Sequence, residues 1–201
     1  MKAIQPYFVM ATSEYHKGIM MKNGIAHFYK YCKNEHDMPE VMAVPDGCVD
    51  ILFEKDAAGV SGRVAGTVLE RKIIENEDGK EFFGVRFLPG VLPAILDASL
   101  TDLVASELNL KDVLYDRDML KEIEEAYDTG DWIEVFMSHY REALTKCEKR
   151  EERPADGIVQ FVQNEIMNTS GNITVAELAE ETGSFSVLNF LFIMKLYVIM
   201  Y

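Results

Sequence analysis

The pattern of apolar residues changes at Pro89-Gly90. Before this break, short apolar or alternating runs are separated by turn-forming residues such as Pro45-Asp46-Gly47, in which proline presets φ and glycine tolerates a positive φ. After the break, apolar residues recur at steps of three and four positions, which is the spacing of an amphipathic helix. The change predicts an α+β protein in which an N-terminal β-barrel or β-sandwich domain is followed by helices.

The predicted strands are short runs rich in aromatic and β-branched residues. Between two of them lie Gly59, Gly62 and Gly66, with Val60, Val64 and Val68 interspersed. Because glycines inside a strand pattern favour bulges or bends, we interpret them as positions where the sheet curls into a barrel. The predicted strands cover residues 25–32, 41–44, 48–54, 71–75 and 81–88.

The predicted helices begin at a capping box. The segment Ser99–Asp102 resembles one and leads into Leu103, Val104 and Leu108. A charged run at 146–153, followed by Pro154, predicts a linker. We therefore divide the chain into a β-rich sensor domain at 1–95, a helical connector and linker at 96–153, and a third part at 154–201. The remaining predicted helices cover 117–127, 131–149, 157–167 and 174–182.

The net charge restricts the partners of the chain. With 20 basic and 34 acidic side chains, the formal charge is −14. The segment 154–201 has one cation, Lys195, against five carboxylates. An acidic surface repels nucleic acid unless a local basic face is present. The net charge therefore gives no support to DNA binding, and only a sequence motif can indicate it.

The cysteines and the chain termini indicate the compartment. Cys32, Cys48 and Cys147 are odd in number and form no CxxC pair, which favours reduced thiols in the cytoplasm. The N-terminus lacks the apolar stretch of a signal peptide. The run 185–201 is apolar at 14 of 17 positions, fewer than the roughly 20 that span a bilayer. This run is consistent with a packed helix, a membrane anchor or the product of an out-of-frame gene segment. We favour the out-of-frame segment and therefore expect no membrane partner.

Catalytic and metal-binding patterns are not found. The four histidines form no H-x-H pattern, and neither a G-x-S-x-G nucleophile motif nor a phosphate-binding glycine loop occurs. We therefore expect no enzyme activity, no metal and no cofactor.

Four residues form a candidate ligand site: Asp46, Cys48, Asp50 and Arg86. Cys48 and Asp50 share one face of a predicted strand, because side chains alternate along a strand. The four side chains can line a small-molecule pocket in an otherwise apolar domain. The alternative is structural: Asp46 lies in a turn, while Asp50 and Arg86 pair across neighbouring strands.

Two motifs of this region resemble a known family. The segment Pro45–Phe53 with its PDG turn, and the strand end Gly84–Gly90 with the sequence GVRFLPG, are similar to the N-terminal sensor domain of a subset of AraC-type transcription regulators. The resemblance covers roughly residues 7–145. It implies a β-rich domain that senses a small-molecule effector, whose identity the resemblance does not supply.

The segment Ile173–Gly183 looks like the first half of a helix-turn-helix. Thr174 and Glu177 form a capping box, and Leu178 and Ala179 face inward. Gly183 lies four residues after Ala179, where the turn between two helices requires a left-handed backbone. In AraC-type regulators this helix precedes a recognition helix that contacts DNA.

Beyond Gly183 the sequence departs from the family pattern. The spacing to the next helix is one residue short, Phe190 replaces a usual arginine, and a second helix-turn-helix is absent. The candidate DNA-contacting residues are Ser186, Asn189 and Lys195. We expect an AraC-type regulator whose DNA binding is impaired by a truncated or frameshifted C-terminal region. The alternative is a stand-alone module that binds a small molecule or forms a homodimer.

Overall fold

The computed structural model describes residues 15–32, 41–74, 80–147, 161–162, 164–165, 168–169 and 172–183. Strands come first along the chain and helices follow, so the protein belongs to the α+β class as the change of pattern at Pro89-Gly90 predicts. The strands are β1 (His16–Lys22), β2 (Ile25–Cys32), β3 (Val41–Ala43), β4 (Asp50–Asp56), β5 (Gly59–Ala65), β6 (Lys72–Ile74), β7 (Glu81–Phe87) and β8 (Glu107–Asn109). The helices are α1 (Leu110–Val113), α2 (Asp118–Tyr127), α3 (Trp132–Cys147) and α4 (Val175–Glu181).

The strands form a large antiparallel sheet and a small one. The large sheet has six strands in the order β1-β2-β7-β4-β5-β8, and β3 pairs with β6 in the second sheet. Strands β1 and β8 lie at opposite edges, so the sheet is open. The prediction of a barrel is therefore wrong.

The glycines that suggested a barrel have another role. Gly59 and Gly62 keep a regular register with β4. At Gly62 a Cβ atom would lie 2.7 Å from the Leu110 side chain, and at Gly66 it would lie 1.8 Å from the Leu103 backbone oxygen. Glycine here admits close packing of the segments that follow the sheet, and this is the physical reason why the barrel interpretation failed.

The segment after Pro89-Gly90 begins with turns where a helix was predicted. Ser99 and Asp102 exchange the hydrogen bonds of a capping box, with Ser99 N donating to Asp102 Oδ2 at 2.9 Å. However, Ala105 adopts a positive φ of 53°, and β8 then pairs with β5. The pairing of β8 with β5 therefore outweighs the preference of residues 103–108 for a helix.

The two long helices lie where helical spacing predicted them. Helix α2 falls within 117–127 and α3 within 131–149. In α3 the buried positions are Trp132, Phe136, Met137 and Tyr140. The neighbouring Ile133 is 36% exposed, because Trp132 occupies the side of the helix that faces the core.

The large sheet has two different faces, because side chains alternate along each strand. One face packs against α2 and α3 through residues such as Phe28, Phe83 and Val85. The ring of Phe28 contacts Trp132, with centroids 5.7 Å apart. The opposite face carries His27, Tyr29, Tyr31, Asp50, Leu52 and Arg86.

The division at residues 95 and 153 stays a prediction. Among the residues that the structure describes, no helix combines the length and the apolar character that a membrane span needs.

Candidate functional site

A cavity of about 780 Å³ lies on the face of the large sheet that the helices leave uncovered. Its floor consists of alternate residues from β1, β2, β4, β5 and β7. Its other wall is formed by β3, β6 and the segment 66–71 that leads into β6. Residues 105–107 close one side. Among the described strands, β3 pairs with β6 alone, in register from Val41↔Ile74 to Ala43↔Lys72. This small sheet covers the floor as a separate layer.

Arg86 is the charged centre of the floor. Its side chain is 6% exposed, and its Nη1 donates to Asp50 Oδ2 at 2.7 Å. Its Nη2 donates to Asp46 Oδ2. The pairing of Asp50 with Arg86 follows from the register of β4 and β7, where the two residues are direct partners. Among the described residues, one guanidinium therefore faces two carboxylates, and the charges of these three ionised side chains sum to −1.

The turn before β4 positions Asp46. Gly47 has a φ of 71°, which glycine adopts without a steric penalty. The Cys48 backbone N–H donates to Asp46 Oδ1 at 3.0 Å, which is the side-chain turn that aspartate commonly forms. Since one carboxylate oxygen holds the turn and the other accepts from Arg86, the turn and the ion pair stabilise each other.

Burial sets the protonation of this group. Burial raises the pKa of Asp50 from 3.8 to about 6, although the neighbouring Arg86 acts in the opposite direction. Burial also raises the pKa of the Cys48 thiol to about 12. Asp50 is thus mostly ionised at neutral pH, whereas Cys48 stays a protonated thiol without the reactivity of a thiolate.

Three tyrosine rings lie beside the charged group. Tyr29 and Tyr31 are neighbours on one face of β2, with nearly parallel rings whose centroids are 6.2 Å apart. Tyr15 stacks against Tyr29 at 6.0 Å, and its hydroxyl lies 3.5 Å from His27 Nε2. Burial, with Lys17 and Arg86 nearby, lowers the pKa of His27 to about 4. His27 is therefore a neutral imidazole at physiological pH.

Gly84 allows this aromatic layer to lie close to the sheet. A Cβ atom at Gly84 would lie 3.0 Å from the Tyr29 ring and 2.5 Å from the Ile51 backbone oxygen. Neither neighbour can withdraw easily, since the first is packed against other rings and the second belongs to a central strand. The glycine of the GVRFLPG motif is thus explained by ring packing.

Three buried polar atoms at the cavity wall have no hydrogen-bond partner among the described residues: Asp50 Oδ1, Arg86 Nε and Thr67 Oγ1. Buried polar atoms are almost always satisfied in folded proteins. Three such atoms around one cavity therefore indicate that the described part of the cavity wall does not supply hydrogen-bond partners for them. No group of three or more His, Cys, Asp or Glu side chains within the described ranges is placed to hold a metal ion.

The structure brings the four predicted ligand-site residues together. Asp46, Cys48, Asp50 and Arg86 all line the cavity, and Asp50 also pairs with Arg86 across neighbouring strands. Both alternatives drawn from the sequence describe the geometry, and ligand binding by these residues stays a prediction. The aromatic part of the site, which consists of Tyr15, Tyr29 and Tyr31, was not predicted from the sequence. The signal was the alternation of His27, Tyr29 and Tyr31 within IAHFYKYC.

The helix that resembles half of a helix-turn-helix is present as predicted. Thr174 and Glu177 form the capping box of α4, with Thr174 N donating to Glu177 Oε2 at 2.7 Å. Leu178 and Ala179 are buried, and Gly183 has a φ of 62°. The candidate DNA-contacting residues Ser186, Asn189 and Lys195 lie outside the described residues.

Residues 20–109 match a family model described as a domain of unknown function, DUF6597. The matched range contains Asp46, Cys48, Asp50 and Arg86, and it ends with β8. No curated protein and no solved structure matches the chain. The comparisons therefore delimit a domain that includes most of the cavity without assigning it an activity.

Proposed function

We propose that this protein is a transcription regulator of AraC type whose β-rich domain binds a small-molecule effector in the cavity above the large sheet. The observation that carries the proposal is the cavity itself. Its volume of about 780 Å³ lies within the range of about 300–1,000 Å³ of small-molecule sites. Its lining combines apolar and aromatic surface with the polar group of Asp46, Asp50 and Arg86 and with further charged side chains nearer the rim. Polar groups set in apolar surface give small-molecule sites their specificity.

The polar groups of the cavity are arranged before any ligand arrives. Arg86 is held by two carboxylates, and the turn at Pro45–Gly47 fixes one of them. A site whose side chains are already ordered loses less conformational entropy on binding. This pre-organisation supports recognition of a specific molecule.

Helix α4 supports the regulatory part of the proposal. Its capping box, its buried Ala179 and the left-handed Gly183 are the features that the first helix of a helix-turn-helix needs. Effector binding would act by favouring one arrangement of the chain over another.

A second function has its own supporting observation. The segment 154–201 has one lysine against five carboxylates, whereas DNA binding draws its affinity from phosphate contacts by several lysines or arginines. A stand-alone module that binds a small molecule or forms a dimer needs no such contacts. The two functions therefore differ in whether this chain retains DNA.

Selection from a random duplex library separates the two functions. The full chain is incubated with the library at about 0.15 M salt, and bound duplexes are sequenced. A regulator enriches a defined motif. Ala179→Leu abolishes the enrichment because the larger side chain blocks the packing of α4, while Ala176→Leu preserves it because Ala176 is exposed on the same helix. If no motif is enriched and the cavity still binds small molecules, the stand-alone module is the function.

A further inference from the structure

The charge and ring distribution of the cavity floor define the class of ligand, provided that the proposed binding role of the cavity holds. Among the described residues, the Arg86 guanidinium is shared by the partly buried carboxylates of Asp46 and Asp50, which gives two carboxylates to one guanidinium. Asp50 Oδ1 faces this environment with no hydrogen-bond partner among the described residues. A carboxylate oxygen in that position requires a donor, and a charged N–H donor forms the strongest such bond.

The tyrosines next to Asp50 extend the negative environment. Besides burial, Asp50 raises the pKa of both Tyr15 and Tyr29, and it acts on them more strongly than the opposing Arg86 does. The faces of aromatic rings attract cations through the ring quadrupole. Tyr15 is the half-buried member of the aromatic layer, so its ring is the one that a ligand reaches most readily.

The cations of the cavity are concentrated at its rim. Arg63 lies 3.4 Å from Glu107, and Lys72 lies 3.7 Å from the other oxygen of the same carboxylate. Lys17 and Arg71 are exposed side chains whose charge is screened by water and salt. The buried floor therefore favours a positive group, while the exposed rim holds most of the positive charge of the lining.

We propose that the cavity binds an organic molecule with a protonated amine, whose N–H group donates to Asp50 while its apolar body lies against Tyr15 and Tyr29. The uncharged parts of such a molecule fill the space between the floor and the β3–β6 layer. A ligand carboxylate would be repelled by Asp46 and Asp50 at the floor, and this repulsion opposes the one favourable contact it could make there, with Arg86 Nε.

Three probes of matched size test the ligand class: 4-phenylbutylamine, 4-phenylbutan-1-ol and 4-phenylbutanoate. Their dissociation constants for the full chain are measured by isothermal titration calorimetry at neutral pH. We expect the amine to bind about tenfold more tightly than the alcohol, and the carboxylate to bind most weakly. Equal or tighter binding of the carboxylate overturns the amine assignment while leaving a small-molecule cavity in place.

Variants locate the binding of the amine. Asp50→Asn weakens the amine about tenfold and leaves the alcohol unchanged, because only the charge-assisted bond is lost. Glu107→Gln, which removes a carboxylate from the rim and not from the floor, changes the affinity for the amine much less than Asp50→Asn does. If Glu107→Gln weakens the amine as much as Asp50→Asn does, the amine lies at the rim and the proposed contact is wrong.

Two variants of Tyr15 test the ring contact of the amine without changing the Asp50–Arg86 ion pair. Tyr15→Phe preserves the ring and the amine affinity, whereas Tyr15→Leu lowers the affinity several-fold. Equal affinity of the two variants contradicts the ring contact. Failure of all three probes to bind at millimolar concentration overturns the inference, while the DNA selection described above still tests the proposed function, because it uses none of these probes.

Discussion

The two faces of the large sheet are built from alternate residues of the same strands, but they are packed in different ways. On the helix-covered face, Phe83 lies among Phe53, Tyr127 and Trp132, with centroids 4.6–5.0 Å apart. On the cavity face, one polar atom each of Asp50, Arg86 and Thr67 (Oδ1, Nε and Oγ1) has no hydrogen-bond partner among the described residues. The packing of the first face is explained by stability alone. The second face keeps polar groups that a core selected only for close packing would not contain. This difference is the reason why we propose the cavity face as the functional surface.

Adjacent phenylalanines of β7 allow the most direct test of this difference. Phe83 and Phe82 are both buried, but Phe83 belongs to the main core and Phe82 to the small cluster under the cavity. We expect Phe83→Ala to lower the free energy of unfolding by about 3–5 kcal/mol. Phe82→Ala should lower it by about 2 kcal/mol, since fewer surrounding contacts are lost. Urea denaturation measures both, and equal losses would contradict the contrast between the faces.

The second prediction concerns the charged group of the cavity face. Arg86→Gln removes the guanidinium that the partly buried Asp46 and Asp50 share, which should lower the free energy of unfolding by about 3 kcal/mol at neutral pH. Arg63→Gln is the control, because its ion pair with Glu107 is partly exposed and should change stability by less than about 1 kcal/mol. Thermal unfolding of both variants provides the comparison. A negligible effect of Arg86→Gln would mean that the two carboxylates do not need their partner.

The third prediction is a pH dependence. The pKa of Asp50 is raised from 3.8 to about 6 in the folded protein, so the folded state takes up a proton before the unfolded chain does. Relative to Asp50→Asn, the native protein should therefore gain stability as the pH falls from about 7 to about 4, by at most about 3 kcal/mol. Unfolding free energies at several pH values measure this difference. A relative loss of stability over the same window would show that Arg86, and not burial, determines the pKa.

The fourth and smallest effect concerns the aromatic layer. Gly84→Ala should lower the free energy of unfolding by about 1–3 kcal/mol, because the added Cβ meets the Tyr29 ring and the Ile51 backbone. Gly18→Ala in β1 is the control, since no atom lies within 4 Å of its Cβ position. Chemical denaturation gives the free energy of unfolding of both variants. The loss at Gly84 beyond that at Gly18 is the effect of packing, because both variants change the backbone in the same way. Equal changes would indicate that Gly84 matters only for strand propensity.

The parts of the fold that could be predicted are those with strong local patterns. Strand β2 was predicted with its observed bounds, because Ile25–Cys32 combines aromatic residues with buried positions along its whole length. Strand β1 was missed because it is an edge strand with almost entirely exposed side chains. Strand β8 was missed because its three residues owe their conformation to pairing with β5, and a distant partner leaves no local signal.

In the candidate site, too, residues in local motifs could be predicted and features that depend on long-range pairing could not. Asp50 and Arg86 were found because both lie in motifs on strands that pair directly. The wall formed by β3, β6 and 66–71 depends on long-range pairing, so neither the size of the cavity nor the contact between Tyr15 and Tyr29 could be derived from local spacing. The resemblance to AraC-type sensor domains indicated a ligand-binding domain, and it stays a proposal for the chain as a whole.

Ring resonances offer the most direct test of the claim that the cavity face is the functional one. The full chain, labelled at tyrosine and tryptophan rings, is titrated with 4-phenylbutylamine and followed by NMR. The account predicts shifts for Tyr15 and Tyr29 on the cavity face and none for Trp132, which packs on the opposite face against Phe28 and Phe83. Shifts confined to Trp132, or of equal size on both faces, would contradict it.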